Sequence, residues 1–318
     1  MQIQNHKKKS ILITGSSGYV GSNLLEKING YNLFGLDKKN CSDTNYFVDL
    51  SLPDTNQQLT HLFSKIKIDY VIHLAAAKQD YGLSTKKYFN DNVKATNNLL
   101  EFLKTKEIKY FLHISSVATF EGEKISSDNV NLNPDQSYQL TKALQEKAVT
   151  AYCEEENIKY CILYPSAIFS NEYRLDTNIG KLQFLTRYFP FFPKIKSKKS
   201  VTYLNNFTNF IIYCINNLII GKYLTIEKPV LNVNEIIKLF VYPKKIIVIN
   251  IPFIKYILKI IVFPFSILKY LGIDYGLTFN RIDKLFKDTS FDDYDFSDFD
   301  TESYCKDSLT SILQKINN

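Results

Sequence analysis

The stretch ILITGSSGYVGSNL, Ile11 to Leu24, reads as a short apolar strand, a glycine turn and the opening of a helix. Gly15, Gly18 and Gly21 are spaced by three. In a dinucleotide site the first makes the tight turn, the second lets backbone approach a pyrophosphate, and the third lets the helix pack close to the strand. The helix then presents unpaired N–H groups and its positive dipole end to the phosphates. The chain has only 11 glycines in 318 residues, and three of them sit in this turn. Gly15, Gly18, Tyr19, Val20 and Gly21 are therefore the candidate cradle for a dinucleotide.

Further along, Tyr31 to Asp37 forms a second strand ending in an acid about 20 residues past the glycines, where a carboxylate accepts the ribose hydroxyls of NAD. Lys38 and Lys39 follow, which leaves NADP open, but NAD is the better fit. Asn45 to Leu50 reads as a third strand, with Asp49 and Leu50 at its end beside an adenine. Pro53 starts a helix. Asp69 to Ala77 is a fourth strand whose end, at Leu74, Ala75 and Ala76, is a candidate cofactor contact, the alanines being small enough to admit a flat ligand. His73 inside that run reads as a packed core residue. A helix carrying Asn92 follows, then strands at 109–116 and 159–165, with Ser137 as the cap of the helix between them. Strands alternating with helices, most strands uniformly apolar, predict an α/β fold: a doubly wound parallel sheet of Rossmann type, with helices on both faces. We expect this NAD-binding domain over 1–170. A smaller substrate-binding region follows over 171–318, with strands at 201–206 and 222–226 and a helix between them.

Tyr138-Gln-Leu-Thr-Lys142 places a phenol and an ammonium four residues apart on one helix face. A nearby cation favours the phenolate, so Lys142 is expected to lower the Tyr138 pKa and make it a general base. Of the 22 tyrosines only Tyr138 has a lysine at that spacing. Ser116 ends the fifth strand, which puts all three at the carboxyl edge of the sheet.

Composition bounds the rest. The five cysteines are scattered, without metal or disulfide spacing, which predicts reduced thiols and no metal. The polar start of the sequence has no apolar signal core, so a cytoplasmic location is expected. The net charge is +7. Between 177 and 226 there are seven bases (Lys181, Arg187, Lys194, Lys196, Lys198, Lys199, Lys222) and no acid, whereas an acidic run from Asp292 to Asp300 lies near the C-terminus. No nucleic-acid module is present. The basic segment suits an anionic membrane, a phosphorylated substrate or plain solvent. Residues 246–272 are the most apolar stretch, interrupted by Lys255, Lys259, Lys269, Pro252 and Pro264. That is too broken to span a bilayer, and it suits either a membrane-surface element or a core or dimer face.

TGSSGYVG (14–21), Asp37, HLAA (73–76), Asn92, SS (115–116) and YQLTK (138–142) together resemble the extended short-chain dehydrogenase/reductases, the NAD-dependent epimerase/dehydratase family. The segments LAAAKQDYG, KKSVTYLNNF, IEKPVLNVNEI and NRIDKLFKDTSFD look like the bacterial 4-epimerases of undecaprenyl-diphosphate- or UDP-linked N-acetylglucosamine. The resemblance implies an isomerase of cell-surface polysaccharide biosynthesis that oxidises sugar C4 transiently and returns the hydride to the opposite face. It implies that Ser116 binds the reacting hydroxyl, Tyr138 takes its proton, and Lys142 and Asn92 lie at the nicotinamide ribose. Pro165 would lie beside the cofactor, Arg174 would contact the substrate, and Arg281 would grip the substrate diphosphate. It also implies a homodimer; peripheral contact with the inner face of the membrane is the expectation carried by the 246–272 stretch and the basic segment before it. A 4-keto-sugar reductase on the same scaffold is the second reading. Two departures bear on sugar identity: Phe120-Glu121 stands where relatives have Tyr-Gly, and Tyr164-Pro165 where many have Arg-Pro. Val117-Ala118 offers no acid after the serine, which argues against dehydration.

Overall fold

A computed structural model describes residues 8–41, 45–78, 83–125, 132–170, 172, 174–175, 177–241, 246–270 and 278–291. The acidic run at 292–300 and Cys305 lie outside the described residues. The chain divides into two compact units, 1–164 with 208–224, and 165–207 with 225–318.

The first unit is built on β1 (Ser10–Thr14), β2 (Asn32–Asp37), β3 (Tyr46–Phe47), β4 (Tyr70–His73), β5 (Tyr110–Ile114) and β6 (Lys159–Pro165). These pair in parallel in the order β3-β2-β1-β4-β5-β6. A seventh strand, Gly221–Thr225, lies beyond β6. After β1 the chain moves outward through β2 and β3, then crosses back to place β4 on the other side of β1. The gap between β1 and β4 is the switch point at which such sheets bind ligands. β1, β4 and β5 are buried along their whole length, as strands covered on both faces must be.

Helices α1 (Tyr19–Lys27), α2 (Thr55–Leu62), α3 (Thr85–Tyr88), α4 (Ala95–Leu103), α5 (Thr119–Gly122) and α6 (Pro134–Glu155) connect the strands. Between α3 and α4 the chain passes through a π-helical stretch, Phe89–Lys94, a feature common at functional sites. One core joins Leu12, Val71 and Phe111 of the sheet to Leu59, Phe63, Leu99, Phe102, Leu103 and Val149 of the helices.

Three local readings change. The third strand shrinks to two residues. α6 begins three residues before the expected cap: Asn133 and Gln136 form a capping box with Pro134 at the first position, and Ser137 is buried inside the helix. The expected strand 201–206 is a three-residue strand, Val201–Tyr203, followed at once by α8 (Leu204–Asn217). Leu204, Phe207, Ile211 and Cys214 are buried at helical spacing, and that period overrides the strand propensity.

In the second unit, β7 (Ala167–Phe169) pairs with the strand Val201–Tyr203, and Phe169, Val201, Tyr203, Ile236 and Phe240 form a core. α7 (Asn178–Tyr188), α9 (Val233–Val241), α10 (Ile254–Tyr270) and α11 (Phe279–Phe286) belong here. Among the described residues no helix is long and apolar enough to cross a membrane, and no group of side chains could hold a metal. The four described cysteines form no disulfide, and three of them are buried.

Candidate active site

The glycine turn sits at the carboxyl end of β1. Gly15 has φ +73°, and an added Cβ would lie 2.9 Å from the Ala75 nitrogen. At Gly21 a Cβ would come within 2.3 Å of the Gly15 carbonyl oxygen. Both positions need glycine, the first for its backbone conformation and the second for close packing. Tyr19 and Val20 open α1, where no side chain caps Gly18 and no acid occupies the first turn, so the positive helix end keeps its field for an anion. The Ser16 hydroxyl is buried in the turn without a protein partner.

Asp37 ends β2 beside this turn. Its carboxylate accepts from the Ser17 N–H and the Lys39 N–H, both at 3.0 Å, and it has lone pairs left for ribose hydroxyls. Lys38, a candidate for a 2′-phosphate, is turned to Asp91 at 2.8 Å, which favours NAD over NADP. Burial raises the Asp49 pKa, but hydrogen bonds from Ser51, with Lys38 and Lys87 nearby, bring it below the ordinary carboxylate value. Leu50 is buried next to it. Leu74 and Ala75 donate back to Thr14 through its carbonyl and hydroxyl oxygens, which ties the end of β4 to β1. Uncapped helix, orphaned hydroxyl, carboxylate and alanine run together match what a dinucleotide requires.

Asn92 is wholly buried in the π-helical stretch. Its side-chain oxygen accepts from the Ala77 N–H at 2.6 Å, and its amide donates to the Thr141 hydroxyl at 2.9 Å. Asn92 thus ties the loop after β4 to α6 between Tyr138 and Lys142.

α6 carries Tyr138 and Lys142 to the end of β5, where Ser116 follows. The Ser116 hydroxyl accepts from the Ala118 N–H at 3.2 Å. Burial pushes the Tyr138 phenol above its ordinary value, and hydrogen bonding with Ser116 pulls it partly back. Lys142 is 2% exposed, and burial brings it down to about 7 against the opposing pull of Glu146. Its ammonium donates to the Ile114 carbonyl at 3.0 Å and the Gln145 side-chain oxygen at 2.5 Å. The expectation that Lys142 lowers the Tyr138 pKa is therefore not met: burial dominates at the phenol, and the lysine's charge is held by those two acceptors.

Two features escaped the sequence reading. His73 is buried but not merely packed: its ring nitrogens meet Thr14 Oγ1 at 2.7 Å and Thr96 Oγ1 at 2.9 Å. Burial lowers its pKa to about 3, and His113, stacked on it at 5.4 Å, lies well below its ordinary value for the same reason. Glu146, 4% exposed, accepts from Ser115 at 2.8 Å, from Lys222 at 3.0 Å and from Tyr164. A buried carboxylate with three donors was visible only as an acid eight residues past Tyr138. Tyr164 in turn packs on Phe120 at 5.0 Å, so the two departures at these positions fill each other's space.

Pro165, buried at the end of β6, Arg174, exposed before α7, and Arg281, half-buried in the first turn of α11, fall in the second unit. Ser116, Tyr138, Lys142, Asn92 and the glycine turn all fall in the first.

The profile of the NAD dependent epimerase/dehydratase family matches residues 11–209. The chain belongs to this family. Its cofactor is NAD, which agrees with the cradle, Asp37 and the occupied Lys38. A 4-epimerase of N-acetyl-alpha-D-glucosaminyl-diphospho-ditrans,octacis-undecaprenol from Escherichia coli O157:H7 is 27% identical over 245 residues, 72% of this chain and 70% of that one. Of the next four curated relatives the chain spans between 44% and 60%. The UDP-N-acetylglucosamine 4-epimerase of Bacillus cereus superposes with TM-score 0.62 at 18% identity, over 76% of this chain and 86% of that one. The dTDP-4-dehydrorhamnose reductase of Bacillus anthracis, in complex with NADP, gives 0.61 at 19%, over 79% and 86%. These two likenesses speak for the fold.

Proposed function

We propose that this family member is a 4-epimerase of a diphosphate-linked N-acetylhexosamine, with a polyprenyl diphosphate as carrier. The observation that carries the reading is Tyr138 hydrogen-bonded with Ser116, with Lys142 one turn along the same helix and bonded at the end of β5, together with the relative that acts on the undecaprenol-linked sugar. Bound NAD supplies a hydride acceptor for sugar C4 and a donor for its return.

In this reading Ser116 orients the C4 hydroxyl and Tyr138 removes its proton as the hydride leaves, then gives it back on return. A phenol held up by burial cannot serve as a base near neutrality unaided, so Lys142 must lend its charge once substrate and cofactor exclude water. Gly15, Gly18, Tyr19, Val20 and Gly21 hold the pyrophosphate, Asp37 the adenosine ribose, and Asp49, Leu50 and the Leu74–Ala76 run flank the adenine and the path to the nicotinamide. Arg174 and Arg281 are offered for the substrate diphosphate, where a guanidinium binds two oxygens at once. Val117 and Ala118 after the serine leave no carboxyl group to drive dehydration.

We further propose that the protein works at an anionic membrane surface. Phe253, just before α10, and Tyr256, Ile260, Phe263 and Ile267, at helical spacing along it, are exposed by 77, 65, 73, 55 and 49%. The same unit carries six of the seven bases of 177–226.

The deciding assay offers purified protein, without added cofactor, N-acetylglucosaminyl-diphospho-undecaprenol and UDP-N-acetylglucosamine in parallel. Conversion to the galacto epimer on the lipid carrier is the expected result. Conversion of the UDP sugar alone would move the carrier. No conversion, with NAD(P)H consumed by a 4-keto sugar, would replace the epimerase reading with that of a reductase.

A further inference from the structure

One fully buried polar side chain near the reacting groups has no part in the mechanism above. Gln145 lies three residues past Lys142 on α6 and is 0% exposed. Its oxygen accepts from the Lys142 ammonium. Its nitrogen donates to the Ala75 carbonyl at 3.0 Å and the Thr96 hydroxyl at 2.8 Å, and lies 3.1 Å from His73 Nε2.

Chemistry fixes the direction of the links at the two ends of Gln145. An ammonium only donates, so the amide oxygen must face Lys142; a carbonyl only accepts, so the amide nitrogen must face Ala75. The two ends agree without choosing a rotamer. His73 Nε2 lies 2.9 Å from Thr96 Oγ1 and its Nδ1 2.7 Å from Thr14 Oγ1, so the chain of contacts continues from Gln145 to β1.

We infer that Gln145 is a positioning residue: its buried amide anchors the Lys142 ammonium to the carboxyl ends of β4 and β1, where the cofactor cradle begins. The consequence is electrostatic. Lys142 is enclosed by Tyr138 and Glu146 on α6, His73 on β4 and His113 on β5, with Tyr164 and Lys222 reaching Glu146. Both histidines are neutral, so of these groups only Glu146 offsets the cost of burying the charge. The Gln145 and Ile114 oxygens supply the hydrogen bonds that keep the ammonium protonated. Losing one makes Lys142 give up its proton at lower pH, and Tyr138 then lacks its neighbouring cation.

The inference rests on the roles proposed for Tyr138 and Lys142, so its test has an arm free of turnover. Lysine labelled with 13C at Cε is followed by NMR across pH, with Lys142→Met identifying the signal. Gln145→Leu keeps the bulk and removes both hydrogen-bonding ends; Gln145→Glu keeps an acceptor for the ammonium. Expected is a downward shift of the Lys142 titration by about one pH unit in the Leu variant and an upward one in the Glu variant. The acidic limb of the kcat profile should move to higher pH in the Leu variant, costing about tenfold at the foot of the limb and recovering at alkaline pH. A Lys142 titration unmoved in both variants overturns the inference even if activity falls. If the titration moves but Tyr138→Phe keeps full activity, the catalytic reading fails and the anchoring stands.

Discussion

The sheet edge of the first unit and helix α10 of the second handle side chains in opposite ways. At the edge, polar groups are enclosed and hold one another: Lys142, Gln145, His73, Thr96, Thr14, Asn92 and Thr141 all lie buried with named partners. Along α10 the apolar groups face outward. Lys255 and Lys259 turn to a single Asp283 oxygen, at 2.8 and 2.9 Å, while Val262 is buried. An enclosed polar network tolerates little change, because any unpaired member leaves a desolvated group behind. An exposed apolar stripe adds little to folding, and such a stripe marks a contact surface.

The largest effect expected from this contrast is on turnover. Tyr138→Phe should lower kcat by about a thousandfold, the middle of the range for a lost acid–base group. Melting temperature and retained NAD should change little, because the ring still packs edge-on against Tyr88 at 6.1 Å. Steady-state rates and the absorbance of released cofactor measure both. A variant that turns over normally would show that the enclosed edge is structural.

Gly21→Ala comes next. The new Cβ would meet the Gly15 carbonyl at 2.3 Å and Ser16 backbone at 2.8 Å, atoms that cannot rotate away. Overpacking against backbone should cost about 3 kcal/mol and release NAD, read by denaturant unfolding and cofactor content. Gly30→Ala is a control for space: nothing lies within 4 Å of its Cβ, though its φ of +87° adds strain.

The edge also fixes an acid sensitivity. His73 and His113 are neutral in the fold and take a proton near pH 6.5 when unfolded. Between that value and about 3 for His73, the unfolded chain binds more protons, so stability falls as pH falls. Each histidine adds a slope of up to about 1.4 kcal/mol per pH unit there. Thermal melts from pH 7 to 5 should show this loss, and His113→Leu, which removes a ring whose nitrogens have no protein partner, should flatten it. An unchanged slope would mean that other groups dominate acid unfolding.

What the sequence disclosed follows the same division. The glycine turn, Asp37, Ser116 and the Tyr138–Lys142 pair were legible because each depends on local spacing, and local spacing survives folding. Gln145, Thr96 and Glu146 were not, because their meaning lies in partners up to 76 positions away that only the sheet brings near. The sign of the Tyr138 shift was misread for the same reason: a lysine four residues along lies on the right face, but Ile114 and Gln145 decide where its charge is held. The apolar stretch at 246–272 was visible, yet its pattern fits a helix buried on either face, and only the exposure of Ile260 beside the burial of Val262 distinguishes them.

That exposure sets the smallest effect on folding and the sharpest test of the outward face. Ile260→Ser and Phe253→Ser remove apolar surface already in water, so unfolding free energy should change by no more than about 0.5 kcal/mol each. Sedimentation with vesicles of mixed anionic and neutral lipid should fall in both, since each buried side chain contributes about 2 kcal/mol to insertion. Added salt should weaken the wild-type binding as well, because the bases of 181–199 act through screened charge. If the variants bind vesicles as the wild type does but lose a dimer on sizing, the stripe is a face between two copies of the chain. If they instead unfold by several kcal/mol, the stripe is core, and the contrast between the two regions collapses.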